Sequence, residues 1–219
     1  MTEVIFIIIG YLLGSIPSGY IFAKLSGKEI FKVGWRKSSG SNVFRHVGVW
    51  QGIATALCDI GKAFLAVFLA GNFGLSPYFQ AICGAAAVIG NNWSLFLRFA
   101  GGRGIGAFLG AFLALSPKLL GLSIIFPVLV SLIWNASIGT ILFLLFSFFL
   151  SIYFDQFQAV GVLTLASLAP IFIKRLSPIG EIFPISKKLS LIANRLVFDS
   201  DKPRLDFRIV RLINKLTWW

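Results

Sequence analysis

Seven apolar runs, separated by short polar breaks, account for most of the chain. They cover about 4–24, 50–71, 78–97, 105–116, 119–134, 137–154 and 157–173. Apart from Lys24 at the end of the first run and Asp59 and Lys62 within the second, none carries a charge. Crossing a bilayer as a helix takes about 20 mostly apolar residues. The pattern therefore predicts an all-α, polytopic bundle with seven transmembrane helices. The fourth run is too short to cross alone without tilting or thinning the bilayer. The breaks are Gly71 to Pro77, Ser116-Pro117-Lys118 and the turn at Asp155, together with two basic loops. Residues 1–173 form the membrane domain, and 174–219 a basic tail.

Composition agrees, with 57% hydrophobic residues and a mean hydropathy of +0.87, well above an ordinary soluble domain. A net charge of +12 would by itself suit nucleic acid. Its placement argues otherwise: Lys and Arg crowd into 24–45, 98–103 and 174–215, where cytoplasmic loops accumulate them. No nucleic-acid partner is expected. The same rule puts the N-terminus outside and the C-terminus in the cytoplasm; the expected location is the cell's inner (plasma) membrane. The first run lacks the basic flank of a cleavable signal and reads as a retained span. In Arg204 to Trp219 the charges Arg204, Arg208, Arg211 and Lys215 recur at helical spacing. This predicts an interfacial amphipathic helix, or else a solvated helix packing on the loops. Cys58 and Cys83, both in apolar runs, read as small buried hydrophobes.

Candidate chemistry gathers on the cytoplasmic side. Ser38-Ser39-Gly40-Ser41-Asn42, with Arg45 just beyond, offers hydroxyls, an amide and a guanidinium to a phosphate; such clusters are also ordinary loop. Gly101-Gly102-Arg103-Gly104 precedes an apolar helix whose positive end, with the loop amides and Arg103, makes an anion site. The bland alternative is a flexible turn with a topology-setting arginine. Asn91 and Asn92 lie near the end of the third run, where buried amides suggest a lined cavity. Asp59 and Lys62, three residues apart on one helical face, either neutralise each other or serve the site. His46 is the sole histidine and reads as a surface residue. No metal-ligand cluster or Ser-His-Asp set is visible.

In this order, these features resemble the bacterial membrane glycerol-3-phosphate acyltransferases that use acyl phosphate, the PlsY type. Gly14-Ser15-Ile16-Pro17-Ser18-Gly19 resembles that family's first-span signature. Val33-Gly34 through Arg45 occupies its first cytoplasmic motif, commonly Ser-Gly-Asn-x-Gly-Ala-Thr-Asn followed by an arginine. Asp59-x-x-Lys62 matches a second-span pair, and Gly90 to Gly104 aligns without a gap to Gly-His-x-Phe-Pro…Gly-Gly-Lys-Gly.

The resemblance implies acyl transfer from acyl phosphate to the 1-hydroxyl of glycerol 3-phosphate, giving lysophosphatidate for phospholipid synthesis. Neither metal nor other cofactor is implied, and an acyl-phosphate-producing enzyme is a possible partner beside membrane lipid. It places Arg45, Arg103 and Asn91 in catalysis. Ser39, Ser41, Asn42, Gly101, Gly102, Gly104 and Lys62 are placed in phosphate binding.

The departures are specific. The leading Ser-Gly of the motif is Trp35-Arg36, the histidine after Gly90 is Asn91, and the glycine-loop lysine is Arg103. A tail His-x-x-Asn pair falls on Leu205 and Arg208. They bear on turnover more than on fold. Two alternatives stay open: a catalytically weak paralogue that binds lipid precursors or a partner, and a small membrane transporter.

Overall fold

The computed structural model describes residues 1–177 and 188–201, all helices and connecting turns. Among the described residues ten α-helices follow in order: α1 (Thr2–Ser15), α2 (Ser18–Leu25), α3 (Gly40–His46), α4 (Val49–Asn72), α5 (Pro77–Asn92), α6 (Ile105–Leu115), α7 (Pro117–Ile133), α8 (Ala136–Tyr153), α9 (Val162–Leu176) and α10 (Lys188–Phe198). Four stretches among the described residues are long and apolar enough to cross a membrane: Thr2–Leu25, Val49–Asn72, Ala136–Tyr153 and Phe157–Leu176. Helices α5, α6 and α7, of 16, 11 and 17 residues, are shorter.

Three departures from the sequence pattern have physical causes. The first run breaks into α1 and α2 at Ile16-Pro17, because the proline has no N–H to continue the ladder. The third run stops at Asn92, and Leu95–Leu97 forms a separate 3-10 turn closed by Arg98 and Phe99 at φ 51° and 64°. The first basic loop, read as irregular, contains α3, and part of the tail folds as α10. The amphipathic helix expected at 204–219 lies outside the described residues.

Helices approach closely where side chains are small, as in membrane bundles generally. A Cβ on Gly14 would lie 2.1 Å from the Ala87 carbonyl oxygen, and one on Gly110 would lie 1.9 Å from that of Ile60. Those glycines set the α1–α5 and α4–α6 crossings. A cluster of small alanines and of Phe108, Phe112 and Phe143 fills the core between α4, α5, α6, α8 and α9. Its rings meet edge-on or stacked at 5.5–6.0 Å. Many large apolar side chains, such as Ile125, Leu132 and Phe149, stay exposed on the outside, as expected of a lipid-facing surface.

Candidate phosphate-binding site

The polar segments converge at one end of the bundle. The link is direct: the Ser38 N–H donates to the Gly101 carbonyl at 3.2 Å. Two loops more than sixty residues apart in sequence thus share one cavity. Its volume is about 320 Å³, and its walls include Ser39, Ser41, Arg45, Asn91, Arg103 and Gly104.

The glycine loop is shaped by the end of α5. The Gly102 N–H donates to the Asn91 carbonyl at 2.8 Å. Gly101 has no room for a side chain, because a Cβ would meet the Asn91 and Asn92 carbonyl oxygens at 2.5 and 2.4 Å. Gly104 caps α6 in the left-handed region at φ 79°, where its Cβ would also strike Asn92. The first residues of α6, Ile105 and Gly106, face the cavity, as do Asn135, Ala136 and Ser137 at the start of α8. Two positive helix ends therefore meet there. Arg175 from α9 is a further cation on the wall.

Beneath the cavity is a buried ionic network. The Lys62 ammonium donates to the Ile16 carbonyl, to Asn91 Oδ1 and to Asp59 Oδ1, each at 2.8 Å. Ser18 Oγ donates to the same Asp59 oxygen at 2.6 Å. The network explains the first-span motif: Gly14 touches α5, the helix break frees the Ile16 carbonyl, Ser18 reaches Asp59, and Gly19 sits against Ser38.

Of the residues read from sequence, Arg45, Arg103, Asn91, Ser39, Ser41 and Gly104 line the cavity. Gly101, Gly102, Asn42 and Lys62 stand behind it. Asn42 is fully buried; it accepts from the Trp35 N–H at 3.1 Å and donates to the Val33 and Lys37 carbonyls at 3.2 and 2.9 Å. Its place is therefore that of a loop organiser. Lys62 spends its three donors on protein acceptors. Asn91 both lines the cavity and accepts from Lys62.

Sequence reasoning passed over several members. Asp199, just after α10, reaches Arg103 at 2.6 Å and Lys37 at 3.7 Å. Lys37, which also donates to the Lys174 carbonyl at 2.9 Å, is pushed down to about 8 by burial, with Arg103 and Arg195 adding to the shift and Asp199 opposing it. Trp35 holds the Arg45 and Arg103 guanidiniums at 4.8 and 4.4 Å from its ring. Its only signal in the sequence was its departure from the motif.

Fold and cavity together define a helical membrane protein with a receptacle at one end that is walled by Arg45, Arg103 and Arg175 and by Asp59 and Asp199. The family model described as glycerol-3-phosphate acyltransferase matches residues 4–183, and the chain belongs to that family. Relatives named glycerol-3-phosphate acyltransferase include one from Endomicrobium trichonymphae, 42% identical over 57% of this chain and 64% of its own length. A second, from Thermosipho melanesiensis, is 42% identical over 53% of this chain and 58% of its own length. The chain thus spans less than two thirds of these curated relatives. A crystal structure of PlsY, an integral membrane glycerol 3-phosphate acyltransferase in its glycerol 3-phosphate form, superposes with a TM-score of 0.72 at 28% identity, covering 84% of this chain and 93% of that one.

Proposed function

We propose that this protein transfers a fatty acyl group from acyl phosphate to the 1-hydroxyl of glycerol 3-phosphate, yielding lysophosphatidate and inorganic phosphate for phospholipid synthesis. The observation that carries the reading is the joining of the Ser38–Arg45 and Gly101–Gly104 segments around one cationic cavity. Membership of the family and the likeness to PlsY support the reaction class.

The hydroxyl oxygen attacks the acyl carbonyl carbon, and the bond from that carbon to the phosphate oxygen breaks. Phosphate leaves with the electron pair, and the hydroxyl proton passes to a substrate phosphate oxygen. The donor is already activated, so the protein has chiefly to orient two phosphate-bearing molecules and meet developing negative charge. Arg45, Arg103 and the amides at the start of α6 take that role. Ser39 and Ser41, the latter 3.4 Å away, supply hydroxyls beside them. The acyl chain lies along the apolar wall of Ile60, Leu109 and Ile171, toward the bilayer.

Seven spans, with the cavity on the cytoplasmic side, agree with the way the basic segments cluster at one end. The bundle sits in the cell's inner (plasma) membrane, beside a source of acyl phosphate. The test is direct: purified protein, given palmitoyl phosphate and glycerol 3-phosphate, should form lysophosphatidate and release phosphate in equal amounts. Product no higher than a boiled control refutes the reading.

A further inference from the structure

Trp35 occupies an unusual position. Its ring lies against Arg103 from the glycine loop and Arg45 from α3, so the two guanidiniums cannot be farther apart than the sum of 4.4 and 4.8 Å. Two cations held that close repel each other. The negative face of an indole offsets this, by about 0.5–1 kcal/mol for each cation when exposed and about 2 when desolvated.

The backbone is built to deliver the ring. Gly34 precedes it at φ 56°, and a Cβ there would strike Asn42 Oδ1 and the His46 ring at 2.3–2.4 Å. Arg36 follows at φ 53°, a conformation costly for a residue with a side chain. The Trp35 N–H is tied to the fully buried Asn42. The His46 ring meets the indole edge-on at 6.2 Å. A strained, twice-anchored loop thus aims one aromatic side chain into a cationic cavity.

The clamp also depends on residue 103 being an arginine, whose guanidinium lies 4.4 Å from the Trp35 ring. A planar guanidinium stacks on an indole by its face and keeps its N–H edge for an in-plane oxyanion acceptor, whereas an ammonium is a compact, strongly hydrated point charge. Arg103 does this here: it lies over Trp35 while its edge reaches the Asp199 carboxylate at 2.6 Å.

We propose that Trp35 is a positioning residue: it clamps Arg45 and Arg103 around a single phosphate, and the clamp requires a planar guanidinium at position 103. The inference rests on the proposed acyl transfer for its kinetic readout but not for its binding readout.

The experiment compares wild type with Trp35→Phe, Trp35→Ser, Arg103→Lys and the Trp35→Ser/Arg103→Lys double variant. Each is checked for a monodisperse peak in detergent. The measurements are kcat and KM for glycerol 3-phosphate, and calorimetric binding of inorganic phosphate. Trp35→Ser and Arg103→Lys should each lose on the order of 10- to 30-fold in kcat/KM and in phosphate affinity. Trp35→Phe should keep most of both. The double variant should lose no more than the worse single variant, because a lysine has no use for the ring. Additive losses, or full affinity in Trp35→Ser, overturn the proposal. If wild type turns nothing over, the acyltransfer reading fails, and the calorimetric series still decides the clamp. Where Trp35→Ser fails to fold, Trp35→Phe decides: if its phosphate affinity falls as far as that of Arg103→Lys, the clamp is wrong.

Discussion

Lys62 is a buried cation at the centre of an ionic network, and its replacement has a calculable effect. Its ammonium has three N–H donors, and the three acceptors Ile16 O, Asn91 Oδ1 and Asp59 Oδ1 each stand at 2.8 Å. Both side chains of the ion pair are only 6% exposed. Lys62→Met keeps the volume and removes the charge. The Asp59 carboxylate is then buried with the Ser18 hydroxyl still donating to it at 2.6 Å but with no cation beside it. Breaking one side of such a buried pair costs about 3–5 kcal/mol, a large fraction of the roughly 5–15 kcal/mol that holds a typical protein together. At about 2–4 °C per kcal/mol for a chain of this size, the transition should fall by roughly 6–20 °C. Asp59→Asn/Lys62→Met should recover most of that, because no buried charge is left. The assay is thermal loss of the monodisperse peak in detergent, followed by lysophosphatidate formation at a temperature where both variants are folded. Activity should fall further than folding does, since Asn91 shapes the Gly102 loop. A Lys62→Met transition within about 2 °C of wild type would refute the account of the network.

Arg103→Ala should abolish acyl transfer without loss of expression; wild-type turnover in that variant would remove the phosphate cradle. Gly110→Ala drives a Cβ to 1.9 Å from the Ile60 carbonyl and should lower thermal stability. Gly121→Ala meets nothing within 4 Å and should raise it by about 1 kcal/mol through helix propensity. Paired melts of the two glycine variants check this directly. Lys37, pushed from 10.5 down to about 8, holds its proton less well folded than unfolded. Its cost to stability is therefore fully present below about pH 8 and is relieved as pH rises from about 8 toward 10.5. The melting temperature of wild type minus that of Lys37→Met should accordingly increase between pH 8 and 10.

Most of the helices could be read from one property, the lengths of the apolar runs, because a bilayer enforces both helix and length on any chain crossing it. The positions of α4, α7 and α8 follow from it to within about two residues. Short-range chemistry was legible as well: the Gly101–Gly104 loop, the Asp59/Lys62 pair and the Ser38–Arg45 stretch are local patterns with local meaning. Helix α3 and the interruption at Ile16-Pro17 were not, although the proline was in plain view. Their geometry answers to Lys62, Asp59 and Ser38, which lie elsewhere in the chain.

The amino-acid order determined that this chain is a helical membrane protein with polar, glycine-rich and basic segments between its helices, since periodicity, charge placement and glycine loops act over a few residues. Folding in three dimensions decided which of those groups meet. Lys62 and Asn42 became braces behind the cavity, while Trp35, Asp199 and Arg175 became part of its wall. Side chains dozens of residues apart are coupled through helix crossings such as Gly14 on Ala87, where the glycine permits the close approach but only the packing selects the partner.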